Sequence, residues 1–249
     1  MEIAYKSSKG MVRDKNEDAV GAYENKNGLI LALISDGIGG NNAGEVASKM
    51  VIDNVGKSFK QTQITSLEEI EPWFESKLVD ANAAIIDESK SDKKLAGMGT
   101  TLVAALQEKN NGLIVNIGDS RGYLFTKGKL TQITEDHSYV NELVKHGDIT
   151  PDEAKNNPYK NIITKSLGIN DDSSADYHSY TLNFGDQLLL CTDGLTNMVS
   201  DEMISKILAE NIELTEKCTE LVDLANEQGG QDNITVLILL NKPGVNVDE

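Results

Sequence analysis

Residues 18–37 read Asp18-Ala19-Val20-Gly21-Ala22-Tyr23-Glu24-Asn25-Lys26-Asn27-Gly28-Leu29-Ile30-Leu31-Ala32-Leu33-Ile34-Ser35-Asp36-Gly37. Two apolar runs, at about 18–24 and 29–35, flank Asn27-Gly28, a turn pair that favours a hairpin between antiparallel strands. The second run ends by delivering a carboxylate into a glycine-rich turn. Further runs at about 100–107, 112–118, 121–126, 186–192 and 232–240 are bounded by turn residues, and Asn111-Gly112 and Lys127-Gly128 stand between paired runs in the same way. Strands joined like this predict antiparallel sheets. No run alternates with helices in the βαβ manner of a dinucleotide-binding fold.

The helical patterns come in blocks. Ala43, Val46, Ala47, Met50, Val51 and Val55 recur at helical spacing, as do Leu67, Ile70, Phe74, Leu78, Ala81 and Ile85, and then Leu214, Cys218, Leu221 and Leu224. Each helix has one apolar face to bury, and there are strands enough for two sheets, so the pattern predicts a central sandwich covered by helix pairs. The segment 138–170 interrupts this plan with two short helices. One runs from Ser138 to Lys145 and is stopped by Gly147; the other opens with Thr150-Pro151-Asp152-Glu153, a capping box with proline at its first helical position. It reads as an insertion at the sheet edge, within a single domain spanning 1–249.

The chain carries 40 acidic and 23 basic side chains, a formal charge of −17. That argues against nucleic acid or an anionic membrane as a partner, because both need Lys and Arg to replace counterions. Cys191 and Cys218 stand far apart with no metal-site or redox spacing, which fits a reduced, cytoplasmic chain. The N-terminus has no secretory apolar segment, and no apolar run approaches a membrane span, so neither export nor membrane insertion is expected.

Four aspartates stand at strand ends: Asp36, Asp119, Asp193 and Asp232. Brought together they would repel one another and resist ionisation unless a cation sat among them. A hard dication such as Mg²⁺ or Mn²⁺ suits oxygen donors and keeps several waters, so one or two carboxylates per ion and a backbone carbonyl suffice. Taken singly, each Asp-Gly pair is an ordinary turn; together they suggest a metal centre.

Several motifs occur in order along the chain: Arg13-Asp14-Lys15-Asn16-Glu17-Asp18, Asp36-Gly37-Ile38-Gly39-Gly40, Gly97-Met98-Gly99-Thr100-Thr101, Gly118-Asp119-Ser120-Arg121, Asp136-His137-Ser138, Asn161-Ile162-Ile163-Thr164, Thr192-Asp193-Gly194-Leu195 and Gly230-Gln231-Asp232-Asn233-Ile234-Thr235. This series resembles the metal-dependent protein phosphatases of the 2C type, in particular their compact bacterial members. The resemblance implies an α+β fold, a four-layer α-β-β-α sandwich of two mainly antiparallel sheets flanked by helix pairs, with a small helical flap at about 138–170 that helps set substrate choice.

It also implies a hydrolase for phosphoserine and phosphothreonine that reverses Ser/Thr kinase signalling, working by attack of a hydroxide bridging two divalent ions, Mn²⁺ or Mg²⁺, without a covalent phosphoenzyme. Carried over by motif, Asp36 would bridge the two ions and the Gly37 carbonyl would complete the first. Asp193 and Asp232 would bind the second, and Asp119 with Asp193 would hold a third, weaker one. Arg13 would grip phosphate oxygens, Glu17 and Asp18 would orient metal-bound waters, and Asn233 would brace the turn beside Asp232. Metal-bound water is the preferred proton donor to the leaving alkoxide, with His137 a second choice, and Arg121 reads as a structural salt bridge.

Where bacterial relatives commonly carry Met and His in the Asp36 motif, this chain has Ile38 and Asn41. The partners implied are phosphoproteins, among them a cognate Ser/Thr kinase and its targets, met by a monomer. Two other readings remain at this level: a metal-dependent module that binds phosphoproteins without hydrolysing them, and the same chemistry directed at a small phosphate ester.

Overall fold

The computed structural model describes residues 1–39 and 43–242. Gly40 and Asn41, named above in the Asp36 motif, lie outside the described residues. In chain order the elements are β1 Glu2–Ser8, β2 Asp18–Glu24, β3 Ile30–Ile38, α1 Ala43–Gln61, α2 Leu67–Ser91, β4 Gly99–Thr100, β5 Leu102–Glu108, β6 Asn111–Ile117, β7 Arg121–Thr126, β8 Lys129–Gln132, α3 Tyr139–His146, α4 Pro151–Lys155, β9 Asp176–Thr181, β10 Gln187–Cys191, α5 Asp193–Thr196, α6 Asp201–Ala209, α7 Leu214–Glu227 and β11 Ile234–Leu240.

They form two sheets, ordered β1-β11-β10-β7-β8 and β2-β3-β5-β6-β9, with β4 paired to β3. Every pairing between these strands is antiparallel. The sheets pack face to face through Ala32, Ile34, Val103 and Ile114 on one side and Leu188, Leu190, Leu237 and Leu239 on the other. The intervening residues of the same strands point outward, where Leu31 and Leu33 meet α1 and α2 and Leu189, Val236 and Ile238 meet α6 and α7. Apolar burial on both faces explains why the central strands read as unbroken apolar runs. The arrangement is the α+β, four-layer sandwich that the resemblance implied.

Several elements escaped the sequence pattern. β1 and β9 are edge strands with mixed burial, so they lack a strong alternation. α6 is short and follows directly on the α5 turn, with Ser200 accepting from the Met203 amide as its cap. One turn assignment also shifts. Glu108 pairs with Asn111, so the β5–β6 loop is Lys109-Asn110, with Lys109 at φ 53, and Asn111-Gly112 lie inside β6. Gly112 is glycine for a packing reason: a Cβ there would overlap the ring of Tyr180 on β9. Lys127-Gly128 is the two-residue turn expected, both residues at positive φ (51 and 77).

The flap segment leaves the edge strand β8 of one sheet and returns to the edge strand β9 of the other. Ser138 caps α3 by accepting from the Asn141 amide, and Gly147 ends it at φ 78. Thr150 and Glu153 exchange both bonds of the capping box on α4.

At the other side of the site, α5 must sit against the start of β11. A Cβ on Gly194 would overlap the Asn233 carbonyl oxygen. Gly194→Ala is therefore expected to lower unfolding free energy by about 1–3 kcal/mol, the usual cost of overpacking, measured by urea denaturation. A variant as stable as the parent would show that α5 can move away freely.

Candidate active site

The register of β2 against β3 sets Asp18 opposite Asp36. Residues in such a cross-strand pair share a face of the sheet, so the start of β2 and the end of β3 put two carboxylates together. Asp119 comes from the β6–β7 turn that joins the two sheets, and the second sheet brings Asp193 at the start of α5 and Asp232 just before β11. Asp193 lies within hydrogen-bond reach of Asp36.

Asp18 spans the seam between the sheets. Its Oδ2 accepts from the hydroxyls of Thr235 at 2.7 Å and Thr192 at 3.0 Å, both on the opposite sheet. Thr192 Oγ1 in turn accepts from the Thr235 amide at 3.0 Å. Asn233 ties the remaining strands: its Oδ1 accepts from the Glu17 amide at 2.7 Å, while its Nδ2 donates to the Lys9 and Lys15 carbonyls at 2.9 and 2.8 Å. The Asn233 amide donates to Asp232 Oδ1 at 2.8 Å. Glu17 acts here through its backbone, its carbonyl receiving both the Gly37 amide at 3.2 Å and the Ser48 hydroxyl of α1 at 2.6 Å. Asp36 is anchored by its own backbone, donating to Thr101 Oγ1 at 3.0 Å and accepting from the Thr101 amide at 2.9 Å.

Arg13, half-exposed, donates through Nη2 to Asp232 Oδ2 at 2.8 Å. Asn197, which the sequence reading did not single out, donates through Nδ2 to Asp193 Oδ2 at 2.8 Å. It lies four residues beyond Asp193, where one helical turn returns to the same face, and that spacing was the available signal. Arg121 grips Asp136 with two nitrogens, Nε to Oδ1 at 2.9 Å and Nη2 to Oδ2 at 2.6 Å, and its Nη1 donates to the Tyr123 hydroxyl; it is the structural ion pair expected.

His137 is set apart from proton transfer. It is buried, its Nδ1 accepts from the Gly118 amide at 3.1 Å, and its Nε2 lies 3.1 Å from Asp176 Oδ2. Burial pushes its pKa down against the pull of Asp176. With Nδ1 committed to the Gly118 amide, His137 braces the β6–β7 turn, which argues against the second-choice role of proton donor.

The carboxylates are poorly accommodated without a cation. Desolvation raises Asp18 to about 7, Asp119 to about 8 and Asp193 to about 6, and Asp36 well above its usual range; in each case a neighbouring aspartate adds to the shift. Asp119 Oδ1 and Asp18 Oδ1 are buried with no hydrogen-bond partner. A cluster of hard oxygen donors with unpartnered lone pairs fits Mg²⁺ or Mn²⁺. Among the described residues no three His, Cys, Asp or Glu side chains already close on one point, so an ion shared by three of these carboxylates would have to draw them together and complete its shell with water.

Beside Asp119 and Asp193 opens a cleft of about 780 Å³, walled on one side by the flap helices and on the other by Asn197–Glu202. Among the described residues, no helix is long and apolar enough to cross a membrane.

Comparison with known proteins follows the same outline. A family model described as protein phosphatase 2C matches residues 9–234. The chain is 41% identical over 240 residues to the serine/threonine phosphatase stp of Listeria welshimeri, covering 96% of this chain and 95% of that protein. The crystal structure of the serine/threonine phosphatase Stp1 from Staphylococcus aureus superposes with a TM-score of 0.93 at 38% identity, covering 97% of this chain and 95% of that one. A third similar structure, the catalytic domain of the serine threonine protein phosphatase PstP in complex with 2 manganese ions, gives a TM-score of 0.83 at 38% identity, covering 95% and 96%.

The raised carboxyl pKa values have a consequence for the metal-free protein. The folded chain holds these protons more tightly than the unfolded chain, whose aspartates titrate near 3.8. Their contribution is thus fully present below that value and is lost as pH rises through about 6 to 8. Scanning calorimetry of EDTA-treated protein is expected to show Tm falling between about pH 5 and pH 8, at roughly 2–4 °C per kcal/mol for a chain this size. Mn²⁺ should raise Tm more at pH 8 than at pH 5. An equal rise at both would mean that the ion does not bind these carboxylates.

Proposed function

This chain belongs to the protein phosphatase 2C family and is a metal-dependent serine/threonine protein phosphatase, and from that premise we propose that hydrolysis runs at the aspartate cluster on the inter-sheet seam. The observation that carries the assignment is the convergence of Asp36, Asp119, Asp193 and Asp232 from four strand ends, with orphaned buried oxygen donors and no cation of the chain's own to neutralise them all. In this reading Asp36 and the Gly37 carbonyl hold the first of two ions, and Asp36, Asp193 and Asp232 the second. Asp119 with Asp193 holds a third, weaker one, and Mn²⁺ and Mg²⁺ are the candidates. Two such ions, when bound, lower the pKa of water toward neutrality and so supply a hydroxide nucleophile without a covalent phosphoenzyme.

The rest falls to the chain's own groups. Arg13 stands half-exposed at the mouth with one nitrogen committed to Asp232, leaving donors of its planar fork for two phosphate oxygens. Asp232 holds that guanidinium in place as well as serving as a ligand. Glu17 and Asp18 stand beside the cluster to orient water, and Asn233 fixes the turn that carries Asp232. Asn197 orients the Asp193 carboxylate. With His137 committed elsewhere, the leaving serine or threonine alkoxide takes its proton from water in the site.

The protein in this reading is one phosphatase domain over 1–249, a cytoplasmic monomer that counters a Ser/Thr kinase on shared targets, with the 138–170 flap meeting substrate. Turnover of p-nitrophenyl phosphate and a phosphothreonine peptide with Mn²⁺ tests the assignment. EDTA should abolish both, and Asp193→Ala or Asp232→Ala should reduce kcat by at least about a hundredfold, the scale of losing one major electrostatic stabiliser, with excess Mn²⁺ restoring only part. Near-normal turnover of either variant at low Mn²⁺ would refute the ligand set. Arg13→Ala should lower kcat/KM by about 10–100-fold as a charge-assisted phosphate contact is lost; steady-state kinetics with an unchanged kcat/KM would remove Arg13 from the phosphate site.

A further inference from the structure

Thr101 stands in the break between β4 and β5. Gly37 pairs with Thr100 and Ile34 with Val103, so Thr101 faces Asp36 across the ladder. In an unbroken antiparallel ladder two facing residues exchange both N–H···O bonds or neither. Here they exchange one. The Thr101 amide donates to the Asp36 carbonyl at 2.9 Å, but the Asp36 amide donates to the Thr101 hydroxyl, at 3.0 Å, in place of the carbonyl. The carbonyl so released accepts from the Ser35 hydroxyl at 2.7 Å. A side chain has taken over a main-chain acceptor at the residue that carries the central carboxylate.

The same side chain reaches the other way. Thr101 Oγ1 shares a hydrogen bond with Ser120 Oγ at 2.8 Å. Its methyl packs on Gly118, where a Cβ would come within 2.5 Å of Thr101 Cγ2. Gly118 and Ser120 are the two chain neighbours of Asp119. Thr101 and Ser120 are fully buried, so a bond left unmade between them costs the desolvation of its partner.

The geometry points to Thr101 as a positioning residue that sets the separation of Asp36 from Asp119, its hydroxyl tying the end of β3 to the β6–β7 turn. The two carboxylates are close enough for Asp119 to add to the upward shift of Asp36, and untied they would be driven apart. Valine at this position keeps the shape but loses the hydroxyl, which returns the Asp36 amide to the main-chain carbonyl and releases Ser120. Serine keeps the hydroxyl and loses only the methyl. This inference rests on the ligand set proposed above, in which Asp36 serves the pair of ions and Asp119 the third, and deepens it by naming what fixes their spacing.

The test follows Mn²⁺ binding by the electron paramagnetic resonance signal of the free ion, with kcat and KM for p-nitrophenyl phosphate measured on the same proteins. Thr101→Val should weaken the weaker class of Mn²⁺ site by about tenfold and lower kcat similarly, the scale of one buried hydrogen bond left unmade. KM should stay within about twofold, because no contact with substrate is removed. Thr101→Ser should bring both losses back to within about threefold of the parent, since the bond is kept. Ser120→Ala removes only the far end of the link and should reproduce the Mn²⁺ loss. The double variant Thr101→Val/Ser120→Ala should be no worse than Thr101→Val, because both changes remove one bond.

A parental Mn²⁺ isotherm in Thr101→Val would overturn the link. So would single effects that add in the double variant, or a Thr101→Ser protein no better than Thr101→Val, since shape and not the hydroxyl would then decide. Should Thr101→Val fail to fold, Ser120→Ala decides alone, and unchanged Mn²⁺ affinity in it rejects the link. A weaker class that survives in Asp119→Ala would refute the ligand set instead, and the same double-variant cycle read in kcat would then decide the link.

Discussion

Four carboxylates held at one end of the seam between two sheets are the constraint on which this structure depends. Like charges so placed oppose folding, and burial, with the neighbouring carboxylates adding to it, pushes Asp119 and Asp193 up. The surrounding structure resists it with bonds that cross from sheet to sheet. Asp18 is the keystone, because its one bonded oxygen receives two threonine hydroxyls from the opposite sheet. Asn233 adds three bonds to the backbone of the segment running from β1 into β2. With these in place the carboxylates are held together, where a dication would relieve their repulsion.

The same constraint explains the charge balance. A chain of −17 would repel a phosphoprotein if its acidity were uniform. Here part of that acidity is gathered at one end of the seam, and Arg13 stands at the same spot, held by Asp232. Arg121, the other arginine of the motifs, is spent on Asp136 and Tyr123 and makes the cleft wall rigid rather than charged.

The layered fold was legible because the hairpin around Asn27-Gly28, the double-faced apolar strands and the helical stripes all point to one architecture. Edge strands β1 and β9 were hidden because half-exposed strands need no strict alternation. Asn111-Gly112 misled for a physical reason: glycine serves both turns and close approach, and the Tyr180 ring that demands it lies some seventy residues away in sequence. The site aspartates were visible as repeated strand-end motifs. Their supports were not, since Thr192, Thr235 and Asn197 act through contacts fixed only by the fold, although the first two stood within quoted motifs.

His137 shows how placement decides chemistry. As a lone histidine in a motif it invites a role in proton transfer. In the fold its Nδ1 accepts from the Gly118 amide, so protonation there would break the bond that shapes the turn carrying Asp119. Burial lowers its pKa in keeping with that role. A group that must remain neutral to hold the turn carrying Asp119 is poorly placed to cycle a proton. Placement, rather than residue type, thus makes His137 a brace for the turn that joins the two sheets.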